Sequence, residues 1–230
     1  GGLDKLNVQP NPVATESAPS AMQTANLGLR HQDLADGSEI KSAELHGTSL
    51  QRNARARVRS AEADQDRMVS GVNPDYLNIE GYEVEQGRLF SPQDLASAAP
   101  VALLGSEAYR VFYPTGGGLN ATLRIGDLPV TVIGVLRERV FRFRNVKGQG
   151  NMFRRRNRII AVPATLVQRR MQGDSYQKVD RITFRIPKID SIQLFAQELT
   201  SVLKANHRLQ NDFRLDDVAA RVKKRQSTSD

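Results

Sequence analysis

The pattern that most constrains this chain is a strand, a helix and a second strand written in succession over its last third. Ile182, Phe184 and Ile186 alternate with Arg181, Thr183 and Arg185, the two-residue period of a strand with one buried face. Pro187 ends that strand. Asp190 suits a helix N-cap, and Ile192, Phe195, Leu199, Val202 and Leu203 then fall on one helical stripe. Phe213-Arg214-Leu215 predicts the returning strand. No other stretch of the sequence spells a β-α-β unit so cleanly.

The opposite end supplies a short strand at Leu3–Val8, a Pro-rich polar loop over 9–23, and helical spacing at Leu27, Arg30, His31 and Leu34 that stops at Asp36-Gly37. Polar sequence follows to Val72, with strands expected at Glu39–Leu45 and Arg55–Arg59. The middle is more apolar. Ser91-Pro92-Gln93-Asp94 reads as N-cap, first-turn proline and first-turn acid. Val101–Leu104 is a buried strand closed by Gly105, and Ser106 is the expected cap of a short helix. Leu123-Arg124-Ile125, the Gly126-Asp127 turn and Val130–Leu136 make a hairpin. Ile159–Val162 adds a strand stopped by Pro163, and Ala164–Met171 a helix stopped by Gly173. The arrangement is nested: an α/β lobe built from both ends, interrupted by a more hydrophobic one.

Several chemistries are excluded or disfavoured by what is missing. With no Cys among 230 residues there is no thiolate nucleophile, disulfide or Cys-ligated zinc. No Gly-Lys dipeptide occurs, so there is no P-loop, and Gly116-Gly117-Gly118 reads as a flexible turn. His31, His46 and His207 are far apart and without a ligand partner at helical spacing, so structural or solvated roles are expected and neither metal nor cofactor is. Asp64/Asp66 and Asp216-Asp217 read as surface ions or caps. The chain starts at Gly1-Gly2 without Met, as expected of an excised piece, and no apolar run approaches the ~18 residues a spanning helix needs. No enzyme is indicated.

Charge is the remaining signal. The formal net charge is +8, which first suggests nucleic acid or anionic lipid. Eleven basic residues lie between Arg137 and Arg170 against one acid, Glu138, so that window carries +10 and the rest of the chain is slightly acidic. Its centre, Asn145–Asn157, reads as an exposed loop. We take Arg142, Arg144, Arg154, Arg155, Arg156 and Arg158 as candidate partner-binding residues for an anionic protein or lipid headgroup. The alternative is a solvated loop whose arginines pair with acids elsewhere on the fold. Phe141, Phe143 and Phe153 interleave with the arginines, which leaves a basic nucleic-acid-binding domain as the competing function.

Six motifs in order make the middle region specific. They are Gly71-Val72-Asn73-Pro74-Asp75-Tyr76, Gly87-Arg88-Leu89-Phe90-Ser91 with Asp94, Val101–Gly105, Leu123–Asp127, Val130–Val135 and Ile160-Ala161-Val162-Pro163. This succession resembles the periplasmic core domain of MacB-type ABC transporter permeases, the group that includes macrolide-efflux and lipoprotein-release systems. The resemblance implies an α+β fold of two lobes. A discontinuous porter-like β-α-β lobe would take 1–72 and 174–220, a small inserted α/β lobe 73–173, and a tail of 221–230 would lead towards a membrane helix. It also implies a periplasm-facing domain of a Gram-negative inner-membrane protein that works without a cofactor. Such a domain couples cytoplasmic ATP-driven motion to an envelope partner or substrate. The implied partners are an ABC ATPase reached through the membrane part, a periplasmic adaptor protein and an outer-membrane channel. The permease would be dimeric and the isolated domain a monomer.

Overall fold

A computed structural model of the chain describes residues 4–11, 29–140, 154–171, 178–207 and 212–227. The chain divides into two compact units, Gly1–Gln51 with Gln177–Asp230, and Arg52–Tyr176. The resemblance implies a first boundary between 72 and 73. The division falls earlier because most of strand β3 (Thr48–Arg59) and all of β4 (Asp64–Val72) pack with the second unit.

In the first unit, β1 (Lys5–Pro10) lies between β11 (Arg181–Arg185) and β12 (Phe213–Asp217), antiparallel to both. The β-α-β unit read from sequence is therefore a split one, with β1 filling the gap. The start of β3 pairs with β11 on its other side, Ile182 opposite Leu50. Thr183, expected on the open face of β11, is buried and donates its hydroxyl to Asn7 Oδ1 at 2.7 Å. Helix α6 (Ile192–Asn206) buries Ile192, Phe195, Leu199 and Leu203. Phe195 meets Phe184 of β11 with ring centroids 5.2 Å apart. Asp190 does not cap this helix. It lies in a preceding 3-10 turn, Ile189–Ser191.

Helix α1 (His31–Ser38) follows the two-residue strand β2 (Leu29–Arg30), which pairs with β10 (Lys178–Val179). Gly37 is inside α1 rather than beyond it: a Cβ there would sit 2.5 Å from the Phe184 ring, so packing and not helix termination demands the glycine. The stretch 39–45, expected as a strand, is irregular. Helix α7 (Val218–Ser227) takes in most of the expected tail, and Asp217 Oδ1 accepts from the backbone N–H groups of Ala219 and Ala220 at its start.

The second unit is a sheet with helices laid on it. Strand order runs β3, β4, β9 (Ile160–Pro163), β6 (Val101–Leu104), β8 (Leu128–Leu136) and β5 (Val84–Gly87), while β7 (Thr122–Ile125) pairs with both β8 and β3. Those pairings close a circuit of six strands, with β5 outside it. The predicted hairpin is β7–β8, Ile125 opposite Leu128. Phe112, from helix α4 (Ser106–Phe112), joins Val58, Leu104, Leu123, Val132, Ile160 and Val167 in one apolar core. A second cluster collects Tyr76 and Leu77 of helix α2 (Pro74–Ile79) with Tyr82, Phe90, Leu103 and Leu136. Helix α3 (Pro92–Ala96) has the expected cap: Ser91 Oγ accepts from Asp94 N–H, and Asp94 accepts from Ser91 N–H. The Arg88 guanidinium, 2.7 Å away, holds the Asp94 carboxyl below its ordinary range. Helix α4 is capped by Gly105, not Ser106, whose buried Oγ has no partner among the described residues. No described helix is long and apolar enough to cross a membrane.

Candidate functional site

The arginine-rich segment begins where β8 ends. Because β5 pairs with β8, Val84 opposite Leu136, the acids flanking Val84 meet Arg137 as it leaves the sheet. Arg137 donates to Glu83 at 2.8 Å and to Glu85 at 3.2 Å. Glu138 is engaged too, by Arg110 at 3.2 Å.

Two residues on, Arg139 reaches the carbonyl of Glu80, just past α2, at 3.2 Å. Its own backbone is clipped to Asn157: Arg139 N–H donates to Asn157 Oδ1 at 2.8 Å, and Asn157 Nδ2 donates to Arg139 O at 2.9 Å. Arg156 turns inward from the helical turn 154–157. It donates to the Glu80 carbonyl at 2.6 Å and to the Glu80 carboxylate at 3.1 Å, with its guanidinium 5.9 Å from the Tyr82 ring centroid. Burial pushes the Tyr82 phenol up to about 12 despite the opposing pull of Arg156, so the ring presents a neutral face to that cation.

The far end of the turn is held as firmly. Arg67 donates to the Arg158 carbonyl at 2.9 Å while stacking 5.6 Å over Phe112. Gly105 admits the turn by close approach, since a Cβ there would lie 2.4 Å from the Asn157 carbonyl oxygen.

The six sequence-predicted residues thus separate. Arg156 is half-buried and bound to Glu80. Arg154, Arg155 and Arg158 are exposed and form no ion pair among the described residues. Arg142 and Arg144 lie outside the described residues, as do Lys147, Phe141, Phe143 and Phe153. Arg169 and Arg170, exposed at the end of helix α5 (Ala164–Arg170), are likewise without an ion pair among the described residues. Cations there suit the helix macrodipole. Arg137, Arg139 and Arg156 are therefore turned to partners within the fold, as the alternative of internal pairing expects, while the guanidiniums of Arg154, Arg155 and Arg158 are exposed. Planar guanidiniums in that state suit carboxylates or phosphates. What sequence reasoning missed was the acid partner set: Glu83 and Glu85, brought to Arg137 by the pairing of β5 with β8, and Glu80 at the end of α2, which meets Arg156.

The fold is one seen before in extracytoplasmic pieces of transporters. The periplasmic region of MacB from Actinobacillus actinomycetemcomitans superposes with TM-score 0.76 at 16% identity, covering 98% of this chain and 94% of that one. The extracellular domain of the noncanonic ABC-type transporter YknZ from Gram-positive bacteria gives 0.72, also at 16%, over 92% of this chain and 99% of its own. The profile of the MacB-like periplasmic core domain matches residues 4–202. This chain belongs to that family. It is a periplasm-facing domain of a MacB-like ABC transporter permease in the inner membrane.

Among curated proteins, the macrolide export ATP-binding/permease protein MacB of Shewanella sp. (strain ANA-3) is 27% identical over 180 residues, 75% of this chain and 26% of its own length. That of Escherichia coli (strain K12) is 27% identical over 227 residues, 97% of this chain and 32% of its own length. The chain thus spans about a third or less of these relatives.

Proposed function

We propose that this domain couples ATP-driven motion of the permease to a partner or substrate in the envelope, and that the outward arginines of the 154–158 turn form part of its docking surface. The supporting observation is the division of labour among those arginines. Arg156, Asn157 and the Arg158 carbonyl fasten the turn to Glu80, Arg139 and Arg67, so Arg154, Arg155 and Arg158 are presented on a braced support. A rigid support lets a charged surface transmit displacement and choose a complementary partner.

In this reading the first unit is the porter-like lobe and the second the inserted lobe. The permease acts as a dimer driven by an ATPase carried as a separate domain or subunit, and the isolated domain is a monomer. An acidic surface of a periplasmic adaptor, leading to an outer-membrane channel, is the expected partner.

The test is co-purification of the full permease with its envelope partners, wild type against Arg154→Ser/Arg155→Ser/Arg158→Ser. Loss of the adaptor at unchanged permease yield is the expected result. Full retention, at both low and high salt, would remove the turn from the docking surface.

A further inference from the structure

Histidine 207 ends helix α6 with its ring 2% exposed, and both ring nitrogens face carboxylates. Nε2 is 2.8 Å from Asp33 Oδ2 and Nδ1 is 2.6 Å from Asp212 Oδ1. Asp33 and Asp212 are themselves buried, and 174 residues separate Asp33 from the histidine. The three side chains come from α1, from the end of α6 and from the residue leading into β12. Phe213 closes the site with its ring edge-on to the imidazole, 5.4 Å between centroids.

The other polar groups around the ring take the carboxylates' remaining capacity only in part. Asp33 Oδ2 also accepts from Arg30 N–H at 2.9 Å, and Asn206 Nδ2 bridges Asp33 at 3.3 Å and Asp36 at 2.7 Å. Lys204, on the same helix, is exposed. Asp212 Oδ2 is buried with no hydrogen-bond partner among the described residues. Among the described residues, the compensation of the Asp212 charge therefore rests on the imidazole.

A neutral imidazole has one N–H and one lone pair, whereas an imidazolium donates from both nitrogens. Two acceptors at these distances are both satisfied only by the cation. In the neutral form one buried carboxylate faces a nitrogen lone pair, which is repulsive in a poorly solvated site. We propose that Asp33, His207 and Asp212 form a proton-dependent clamp that fastens α1 to the end of α6 and the start of β12, and that deprotonation of His207 releases it. Burial alone would disfavour the cation, but hydrogen bonds and charge from Asp33 and Asp212 outweigh it and raise the His207 pKa above 6.5. A raised histidine pKa stabilises the fold fully below the unfolded value of about 6.5, and that contribution fades as pH climbs through the folded value. The clamp is thus closed in mild acid and opens on the alkaline side.

Hydrogen exchange on the 230-residue chain between about pH 6 and 9, corrected for intrinsic rates, tests this directly. Protection of α1 and of residues 212–214 should fall about tenfold or more across that range, while β8 holds constant. His207→Gln, neutral throughout, should make α1 protection independent of pH at a lower level. Proton or nitrogen resonances of the wild-type imidazole give a second readout that needs no variant: His207 should titrate above the ordinary histidine value, and Asp212→Asn should bring it down. If His207 titrates at or below its ordinary value, or if α1 and β8 lose protection in parallel, the clamp is overturned.

Discussion

The two units keep charge in different places, and the contrast says what each is built to resist. In the second unit, pairs such as Arg57–Asp64, Arg110–Glu138 and Arg137–Glu83 are solvent-exposed around an apolar core whose members are almost wholly buried. In the first unit, two of the closest ion pairs are inside, on His207. Exposed pairs contribute at most about 1 kcal/mol and are screened by salt. A buried charge needs its partner, and breaking such a pair is costly. The second unit should therefore be indifferent to pH near neutrality, and the first should not be.

The largest effect expected outside the clamp comes from the apolar side of that contrast. Phe112 is fully buried among β3, β4, β7, β8 and β9 residues and carries Arg67 over its ring. Phe112→Ala should destabilise the second unit by about 3–5 kcal/mol through lost burial and a residual cavity. Thermal unfolding at pH 6 and pH 9 should show the same loss at both. A loss that changed with pH would place a titrating group in this core and erase the distinction between the units.

A smaller effect tests the rim where it turns inward. Glu80 holds Arg156 through both its carboxylate and its carbonyl, and only the first is open to substitution. Glu80→Gln leaves a neutral acceptor in place of the charged one and should cost about 1–2 kcal/mol. Urea unfolding measures it. A value near zero would make Arg156 a solvated surface cation like its neighbours.

Local chemistry made much of the fold readable. Alternation gave β11, the periodic stripe gave α6, and Ser91-Pro92 with Asp94 gave the capped start of a helix, to which the structure adds the reciprocal bond from Ser91 N–H to Asp94. The misreadings share one cause. Gly37 looked like a stop and Ser106 like a cap because each was judged by its neighbours in sequence. Phe184 decides the first, and the close approach of Asn157 to Gly105 shapes the start of the second helix. The same limit governed the charged groups. His207 is structural, one of the two roles its spacing allowed, but its partners could not be read because one of its carboxylates is 174 residues away. The arginine segment is visible as composition, but its sorting into inward and outward members depends on Glu83 and Glu85, delivered by the pairing of β5 with β8, and on Glu80 at the end of α2.

That sorting yields the smallest expected change in stability and the sharpest functional contrast. Arg154, Arg155 and Arg158 are exposed with no ion pair among the described residues, so replacing all three by Ser removes no described internal side-chain bond. Stability should move by no more than about 0.5 kcal/mol, as for ordinary surface substitutions. Arg158 also keeps its place through its backbone carbonyl, which Arg67 holds whatever the side chain. Adding Arg156→Ser to the set would break the Glu80 contact and confound folding with docking, so the triple and the single variant must be compared. If docking is electrostatic, the triple should weaken partner binding at low salt and much less at high salt, with its melting temperature unchanged. Arg156→Ser should do the reverse, lowering the melting temperature with a smaller effect on binding. If the triple melts early, the outward arginines are structural after all, and the braced turn is no docking surface.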